Sequence, residues 1–166
     1  MRAWNVAGAL LVGPEGLLLV RNERPTGSVD WSTPGGVIDP TDASFVDGLA
    51  REVEEETGLL VDAWAGHVYT VRAEAPDLGW IMHCEVHQVA AYSGEISLTD
   101  PDGIVTDAVF VAPEACGEYL AACRQWVREP LESWLAERWV PGDVREFHYR
   151  IRGSGPADFA VERVEQ

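Results

Sequence analysis

Apolar residues fall in short runs separated by turns rich in glycine and proline along most of the chain. Residues 6–12 and 17–21 are such runs, and residues 13–16 between them read Gly-Pro-Glu-Gly. Two apolar runs around a turn are typical of a β-hairpin. Residues 22–43 carry three prolines and three glycines, which predicts a long loop, and loops of that length in compact domains are usually functional.

Helical spacing replaces this pattern in the next segment. The apolar side chains of Phe45, Val46, Leu49 and Val53 recur along one stripe of a helix. Ser44 is a suitable N-cap and Gly58 a suitable residue just past the C-terminus. The pattern therefore predicts a helix over residues 44–57.

The remainder of the chain continues as strands, a helical segment and a hairpin. Residues 61–74 and 80–92 are predicted strands around a Pro-Asp-Leu-Gly turn. Residues 93–106 read as an acidic loop, and the predicted elements that follow are a short strand at 108–111 and a helical region at 113–138 interrupted near Pro130.

The tail contains two alternating segments, 145–152 and 158–164, around a Gly-Ser-Gly-Pro turn, which predicts a further hairpin. This order of elements favours an α/β or α+β domain with a mixed sheet between helices. We expect one main domain over residues 1–138. Residues 139–166 would form a β extension packed on that domain or contributing to a homodimer.

Composition agrees with a single globular domain. The chain has 166 residues, 46% of them hydrophobic, and seven tryptophans. No apolar run approaches the length of a membrane span, and the first residues do not begin a signal peptide. A cytoplasmic protein without a membrane partner is expected.

Charge and cysteine content exclude several kinds of chemistry. The net charge is -16, from 28 acidic and 12 basic residues, and every basic residue is an arginine. The absence of lysine excludes Schiff-base and P-loop mechanisms, and the acidic balance argues against binding a nucleic-acid duplex. Cys84, Cys116 and Cys123 lack Cys-x-x-Cys spacing, so free thiols are expected rather than disulfides or a cysteine zinc site.

Residues 51–58, Arg-Glu-Val-Glu-Glu-Glu-Thr-Gly, concentrate acidic side chains on the predicted helix. At 100° per residue Glu52, Glu55 and Glu56 share one face, whereas Glu54 points towards water. The repulsion among three carboxylates would be relieved by a hard divalent cation such as Mg²⁺. A solvated helix face with Arg51 paired to Glu55 is the alternative. The Gly35-Gly36 turn upstream favours the metal site, because glycine lets a main-chain carbonyl approach closely.

Together these residues resemble the Nudix hydrolase family, whose box reads G-x5-E-x7-R-E-U-x-E-E-x-G-U, where U is a bulky aliphatic residue. The second half matches without a gap, and Pro-Gly-Gly at residues 34–36 matches the approach to the first half. The sequence departs from the box in two ways. Asp42 stands where the family has glutamate, and one extra residue lies between Asp42 and Arg51.

The resemblance implies Mg²⁺- or Mn²⁺-dependent hydrolysis of a nucleoside diphosphate linked to another moiety. By position, Glu55 and Glu56 would be metal ligands, with the Gly35 carbonyl as a further ligand. Glu52 would bind metal or act as the general base, which places Glu52 and Glu56 among the catalytic candidates. Arg51 would hold a glutamate in place. Nucleoside triphosphates, ADP-ribose and nucleotide sugars all remain open as substrates, and a catalytically silent nucleotide-binding module is the alternative function.

Further site candidates lie outside the box. An additional acid could come from Asp102 or Asp107, although turn and strand-edge roles are commoner for such residues. Arg21 and Arg24 could contact phosphate or lie on the surface. Trp31 could stack on a base or belong to the core.

One strand carries a separate group of candidate ligands. His83, Glu85 and His87 alternate along residues 80–92 and so share one face of that strand. They predict either a solvated or pocket-lining strand face or, less commonly, a second metal site.

Overall fold

The computed structural model describes residues 1–165, so Gln166, the last residue of the expected extension, lies outside it. Within these residues the chain forms two β-sheets and three α-helices. The helices are α1 (Phe45–Thr57), α2 (Cys116–Tyr119) and α3 (Gln125–Glu137). The strands are β1 (Arg2–Leu10), β2 (Val12–Gly13), β3 (Gly16–Glu23), β4 (Val29–Ser32), β5 (Gly35–Val37), β6 (Leu60–Ala75), β7 (Trp80–Ser93), β8 (Val105–Val111), β9 (Arg145–Arg152) and β10 (Ala160–Val164).

The larger sheet is mixed and has the strand order β10-β9-β6-β7-β1-β5. β1 runs parallel to β7, and β9 runs parallel to β6. The smaller sheet pairs β3 with β2, β4 and β8. The expected α+β architecture with a mixed sheet is confirmed, as are the β6–β7 and β9–β10 hairpins.

Two hydrophobic cores fill the space around the sheets, and alternate residues of β3 enter different cores. Leu17 and Leu19 lie in the core that contains Trp134 of α3, whereas Leu18 and Val20 lie in the core that contains Leu49 of α1. Burial on both faces explains why this strand reads as a continuous apolar run rather than an alternating one.

The predicted first hairpin is only partly correct. Val12 of β2 pairs with Leu17 of β3, as expected. Residues 6–10 instead belong to β1, which pairs with β5 and β7 in the other sheet. The chain leaves one sheet near Leu11 and enters the next, and an apolar run alone does not mark such a crossing.

Two further predictions are wrong in detail. Residues 22–43 are not all loop, because β4 and β5 lie within them. Pro130 does not interrupt the helical region, since α3 continues through it and the break falls around Cys123 and Arg124, whose backbones are extended. Burial of Trp126, Pro130 and Trp134 on the core side of α3 offsets the cost of a proline inside a helix, about 3 kcal/mol.

The three cysteines are free thiols, as expected. Within residues 1–165, no helix is both long enough and apolar enough to cross a lipid bilayer.

Candidate active site

Helix α1 presents the acidic face in a fixed orientation because both of its ends and its apolar side are anchored. Ser44 Oγ accepts the N–H of Asp47 at 3.2 Å, which caps the N-terminus. Gly58 ends the helix in the left-handed conformation, and its N–H donates to Glu54 O at 2.8 Å. Leu49 and Val53 are fully buried. Glu54 is exposed and Glu52, Glu55 and Glu56 are partly buried, as helical geometry predicts.

Arg51 ties the acidic residues together. Its guanidinium donates to both carboxylate oxygens of Asp42, at 2.9 and 3.0 Å, in a bidentate pair. Nη1 of the same side chain donates to Glu52 at 3.2 Å and Glu55 at 3.1 Å. The Arg51 hydrogen bond also holds the pKa of Asp42 below its usual range. Arg51 therefore orients two of the glutamates, and Asp42 orients Arg51.

The glycine turn lies directly against this face. A side chain at Gly36 would place its Cβ 3.0 Å from the Glu52 carboxylate, and one at Gly35 would overlap the Ala7 carbonyl oxygen at 1.9 Å. Only glycine fits this approach of strand β5 to β1 and to the helix.

The edge of β5 points polar backbone groups at Glu56. The Pro34 carbonyl and the Ile38 N–H form hydrogen bonds with β1. Successive residues of a strand direct their backbone groups to opposite edges, so the N–H and C=O of Gly35 point to the edge that faces away from β1. There the Gly35 N–H donates to Glu56 Oε2 at 3.3 Å. The Gly35 carbonyl, predicted as a metal ligand, belongs to the same edge.

Burial sets the electrostatics of the glutamates. Burial raises the pKa of Glu56 to about 8, against the opposing hydrogen bond from Gly35, and the charges of Glu52, Asp100 and Glu55 raise it further. Burial also raises the pKa of Glu52, and Arg51 partly offsets this effect. Repulsion among partly buried carboxylates is relieved either by a proton or by a cation.

A cavity of about 320 Å³ opens beside Gly35 and Gly36. Its apolar wall includes Met82, Trp126 and Val127, and its polar groups include Asn22, Arg24, Asp30 and Arg124. A mostly apolar cavity with a few polar groups is typical of a small-molecule site. Here it adjoins the acidic face through the two glycines.

The cavity's polar rim is preorganised. Asn22 is buried and donates to Asp30 Oδ1 at 3.0 Å and Ser32 Oγ at 2.9 Å. Arg24 donates to Asp30 Oδ2 at 2.7 Å. Fixed hydrogen-bonding groups of this kind give a site its specificity at low entropic cost.

The predicted substrate residues separate into two groups. Arg24 lines the cavity. Arg21 does not, because it donates to Glu23 and Thr106 instead, at 3.0 and 2.7 Å. Trp31 also lies elsewhere, packed edge-on against Tyr119 with ring centroids 4.9 Å apart and contributing to the core.

The acidic loop between β7 and β8 approaches the site through a residue that the sequence analysis missed. Besides burial, the charge of Asp100 raises the pKa of Glu56, and the charge of Asp102 raises the pKa of Glu52. Asp100 also accepts the N–H groups of Asp102, Ile104 and Val105, which shapes the loop. The Asp-Pro-Asp-Gly turn at residues 100–103 was the available signal. Asp107 instead accepts the N–H of Ala108 at 2.8 Å.

The sequence also did not identify the cavity-lining residues that come from the helical region. Arg124 and Trp126 lie 65 or more positions beyond the box, so no local pattern connects them with it. Arg124 is additionally held by the extension, since its guanidinium lies 5.4 Å from the centre of the Phe159 ring.

Comparison with known proteins agrees with the fold. The family model described as "NUDIX domain" matches residues 1–135. No match was found among curated protein sequences.

Several solved structures resemble this chain. The Escherichia coli ORF135 protein is 24% identical with a TM-score of 0.66, covering 86% of this chain and 96% of its own. A mutator MutT protein from Bacillus halodurans is 15% identical with a TM-score of 0.65, covering 96% and 97%. A MutT Nudix hydrolase from Burkholderia pseudomallei is 24% identical with a TM-score of 0.59, covering 69% and 86%.

At these identities the solved structures establish the shared fold, while the family model matches most of the chain's length. The chain belongs to the Nudix family of pyrophosphohydrolases.

Proposed function

We propose that this protein uses Mg²⁺ or Mn²⁺ to hydrolyse a pyrophosphate bond in a nucleoside diphosphate linked to another moiety. The observation that carries the proposal is the position of Glu52 and Glu56, which lie against Gly36 and Gly35. The same two glycines line a mostly apolar cavity. Carboxylate and carbonyl oxygens are the ligands that these hard cations prefer.

The ligand set would comprise Glu52, Glu55, Glu56 and the Gly35 carbonyl. The raised pKa of Glu56 supports this assignment, because an uncompensated charge at that position is unfavourable. When bound, the cation would neutralise charge on the pyrophosphate and lower the pKa of a coordinated water.

Protein groups would supply the remaining functions. Glu52 is hydrogen bonded to Arg51 and lies within reach of the glycine turn, which suits a carboxylate that accepts a proton from the attacking water. Arg51 and Asp42 would position it without touching substrate. Asp100 and Asp102 would add negative charge near Glu56 and Glu52.

The cavity is proposed to bind the nucleoside part of the substrate. Trp126 and Met82 offer apolar contact to a base, and the Asn22–Asp30 pair offers hydrogen bonds. Arg24 and Arg124 place positive charge at the cavity of an otherwise acidic protein, where a phosphate can bind. Nucleoside triphosphates, ADP-ribose and nucleotide sugars all contain these parts.

The test is phosphate or nucleotide release from a panel of these compounds, with Mg²⁺ and with EDTA. We expect Mg²⁺-dependent turnover of at least one compound. Glu52→Gln and Glu56→Gln should each reduce kcat by on the order of 100-fold or more. Glu54→Gln is the matched control, because Glu54 lies on the same helix but faces solvent, and its kcat should be unchanged.

Two results would contradict the proposal. Turnover that survives Glu56→Gln would show that the reaction occurs elsewhere. Binding of nucleotides without turnover of any compound would instead favour the catalytically silent module.

A further inference from the structure

Three side chains on the β6–β7 hairpin form a second polar cluster, separate from the three glutamates. His67 lies opposite His87 in the strand register, and Thr70 lies opposite Glu85. The His87 Nε2 is 3.2 Å from Glu85 Oε1, and His67 Nδ1 is 3.6 Å from the same oxygen. One ligand atom from each residue lies within 4.8 Å of the other two.

The hydrogen bonds of His67 involve its Nε2 and leave Nδ1 available. Its Nε2 lies 3.1 Å from the carbonyl oxygen of Tyr69 and 3.0 Å from Thr70 Oγ1. A carbonyl can only accept, so Nε2 carries the proton and, in the neutral ring, Nδ1 presents a lone pair. That lone pair faces the carboxylate oxygen of Glu85 at a distance beyond a hydrogen bond. In metal-binding histidines, the ring nitrogen that does not bind the metal usually donates its N–H to a group such as a backbone carbonyl, and this hydrogen bond orients the ring.

Packing places the second imidazole beside the first in the metal-free protein. The His67 and His87 rings stack with centroids 4.6 Å apart and planes 11° from parallel. Because a nitrogen lone pair lies in its ring plane, binding one ion through both rings requires one ring to rotate out of the stack. Phe45 and Trp64 flank His87 with ring centroids at 5.7 and 6.2 Å. The His87 Nε2 N–H donates to Glu85 Oε1 at 3.2 Å, so a metal bound at Nε2 would replace this proton, and the neutral ring would carry its proton on Nδ1.

The cluster remains open to solvent on one side. The side chain of Glu85 is 39% exposed and that of His67 is 27% exposed, whereas His87 is 12% exposed. Glu85 also lines a surface cleft with Asn5, Ile38 and Phe45. An ion could therefore enter from the Glu85 side and keep one coordination position for water.

We propose that His67 Nδ1, the Glu85 carboxylate and His87 Nε2 bind a Zn²⁺ ion at a site distinct from the glutamate face. Two histidines and one carboxylate are an established zinc ligand set that leaves the fourth position open. Ligand atoms of a tetrahedral zinc site are about 3.4 Å apart, and the two distances to Glu85 Oε1 lie within a few tenths of an ångström of this value. The imidazole ligands favour Zn²⁺ over Mg²⁺.

His83 is not part of this site, although the sequence places it on the same face of β7. It lies two residues from Glu85 on the side away from His87 and lines a shallow cleft with Arg72 and Glu146. The third ligand comes instead from β6, which the strand pattern alone did not identify.

The test is calorimetric titration of metal-free protein with Zn²⁺, in a Glu56→Gln background that weakens metal binding at the glutamates. We expect one Zn²⁺ per chain. Glu85→Gln and His67→Gln should each weaken zinc binding by more than about tenfold, because even the removal of a group that only hydrogen-bonds to a metal ligand lowers metal affinity by at least that much. Co²⁺ in place of Zn²⁺ should give the intense visible absorption of a four-coordinate site, and both substitutions should abolish it.

Two histidines provide matched controls. His83→Gln changes the same strand, and His148→Gln changes a histidine that contacts a single carboxylate, Glu74, at 3.3 Å. Neither should alter zinc affinity or the Co²⁺ spectrum. The proposal is overturned if no Zn²⁺ binds, or if the control variants lose as much affinity as Glu85→Gln. Glu85 is the most exposed ligand, so its substitution tests the site with the least disturbance of folding, which circular dichroism would verify.

Discussion

At the scale of single residues, Glu56 lies in surroundings that disfavour its own charge. Its carboxylate is partly buried, close to Glu52 and Asp100, and receives one backbone hydrogen bond from Gly35. A bound cation would reverse this penalty. The same contacts that make the metal-free protein less stable at high pH are therefore the ones that make the site suitable for metal.

We predict that metal-free protein loses stability between pH 6.5 and 8. Burial raises the pKa of Glu56 from 4.5 to about 8, so within this window the folded state binds a proton that the unfolded state has released. The free energy of unfolding should therefore fall as pH rises, by about 1 kcal/mol per pH unit. Thermal unfolding in EDTA measures the slope.

The window covers the upper part of the Glu56 shift, which reaches about pH 8, and the raised pKa of Glu52 acts in the same direction above pH 4.5. The lowered pKa of His87 acts in the opposite direction below pH 6.5, and the raised pKa values of Cys84 and Cys123 act above pH 8. Glu56→Gln should flatten the slope, as should Mg²⁺ added to the wild-type protein. An equal slope in the variant would contradict the assignment.

Residue roles were predictable where helical geometry determined them. The common face of Glu52, Glu55 and Glu56 follows from 100° per residue once the helix is recognised. Arg21 and Trp31, predicted as substrate residues, lie outside the lining of the cavity, and this could not be foreseen because which face of a strand a residue occupies depends on the neighbouring strands. The pairing of Arg21 with Thr106, 85 positions away, has no local signal.

At the scale of elements, the site depends on how closely helix α1 approaches the loop that precedes it. Gly48 makes this contact possible, since a Cβ there would lie 2.6 Å from Asp42 Oδ2. Asp42 in turn forms the bidentate pair with Arg51. The shorter aspartate in place of the family's glutamate therefore still reaches Arg51 across the extra residue.

We predict that Gly48→Ala lowers both activity and stability. The added methyl group would displace Asp42 and disturb the orientation of Arg51, at an expected cost of about 1–3 kcal/mol. Gly117→Ala is the control, because Gly117 is also helical and has open space at its Cβ. It should stabilise the protein by about 0.4–1 kcal/mol. Chemical denaturation of both variants measures the difference, and stabilisation by Gly48→Ala would count against the close contact.

Elements with a strong local signal were predicted well, and those defined by distant pairing were not. Helix α1 has a serine cap, an apolar stripe and a terminal glycine, and each hairpin has its own turn. Strand β1 pairs with β7, about 78 positions later in the register, and β5 is only three residues long. The sequence pattern therefore does not distinguish β1 from the first strand of a hairpin, or β5 from a loop.

At the scale of the whole molecule, the segment after residue 138 is part of the main core. Trp139, Phe147, Tyr149 and Ile151 are all buried, and the Trp139 indole donates to Val68 O at 2.8 Å. Strand β9 also continues the sheet beside β6. The match to the family model ends at residue 135, so this chain completes its core with residues that lie beyond the family match. The boundary at residue 138, the homodimer and the cytoplasmic location remain predictions.

We predict that a chain ending at Arg138 does not fold cooperatively. Loss of one large buried side chain costs about 2–5 kcal/mol, so the loss of four, on the order of 8–20 kcal/mol, is as large as the usual total stability of about 5–15 kcal/mol. A chain ending at Arg152 retains all four and should still unfold in a single transition. Circular dichroism during heating compares the two. A sharp transition in the shorter chain would show that the segment is a separate extension.

Binding of a divalent cation by the glutamate face is the most direct test of the proposed function. Titration with Mn²⁺, followed by electron paramagnetic resonance, measures the affinity without requiring the substrate. Wild-type protein and Glu54→Gln should bind Mn²⁺ equally, and Glu56→Gln should bind it more than about tenfold more weakly. Equal Mn²⁺ affinity in all three proteins would contradict the account.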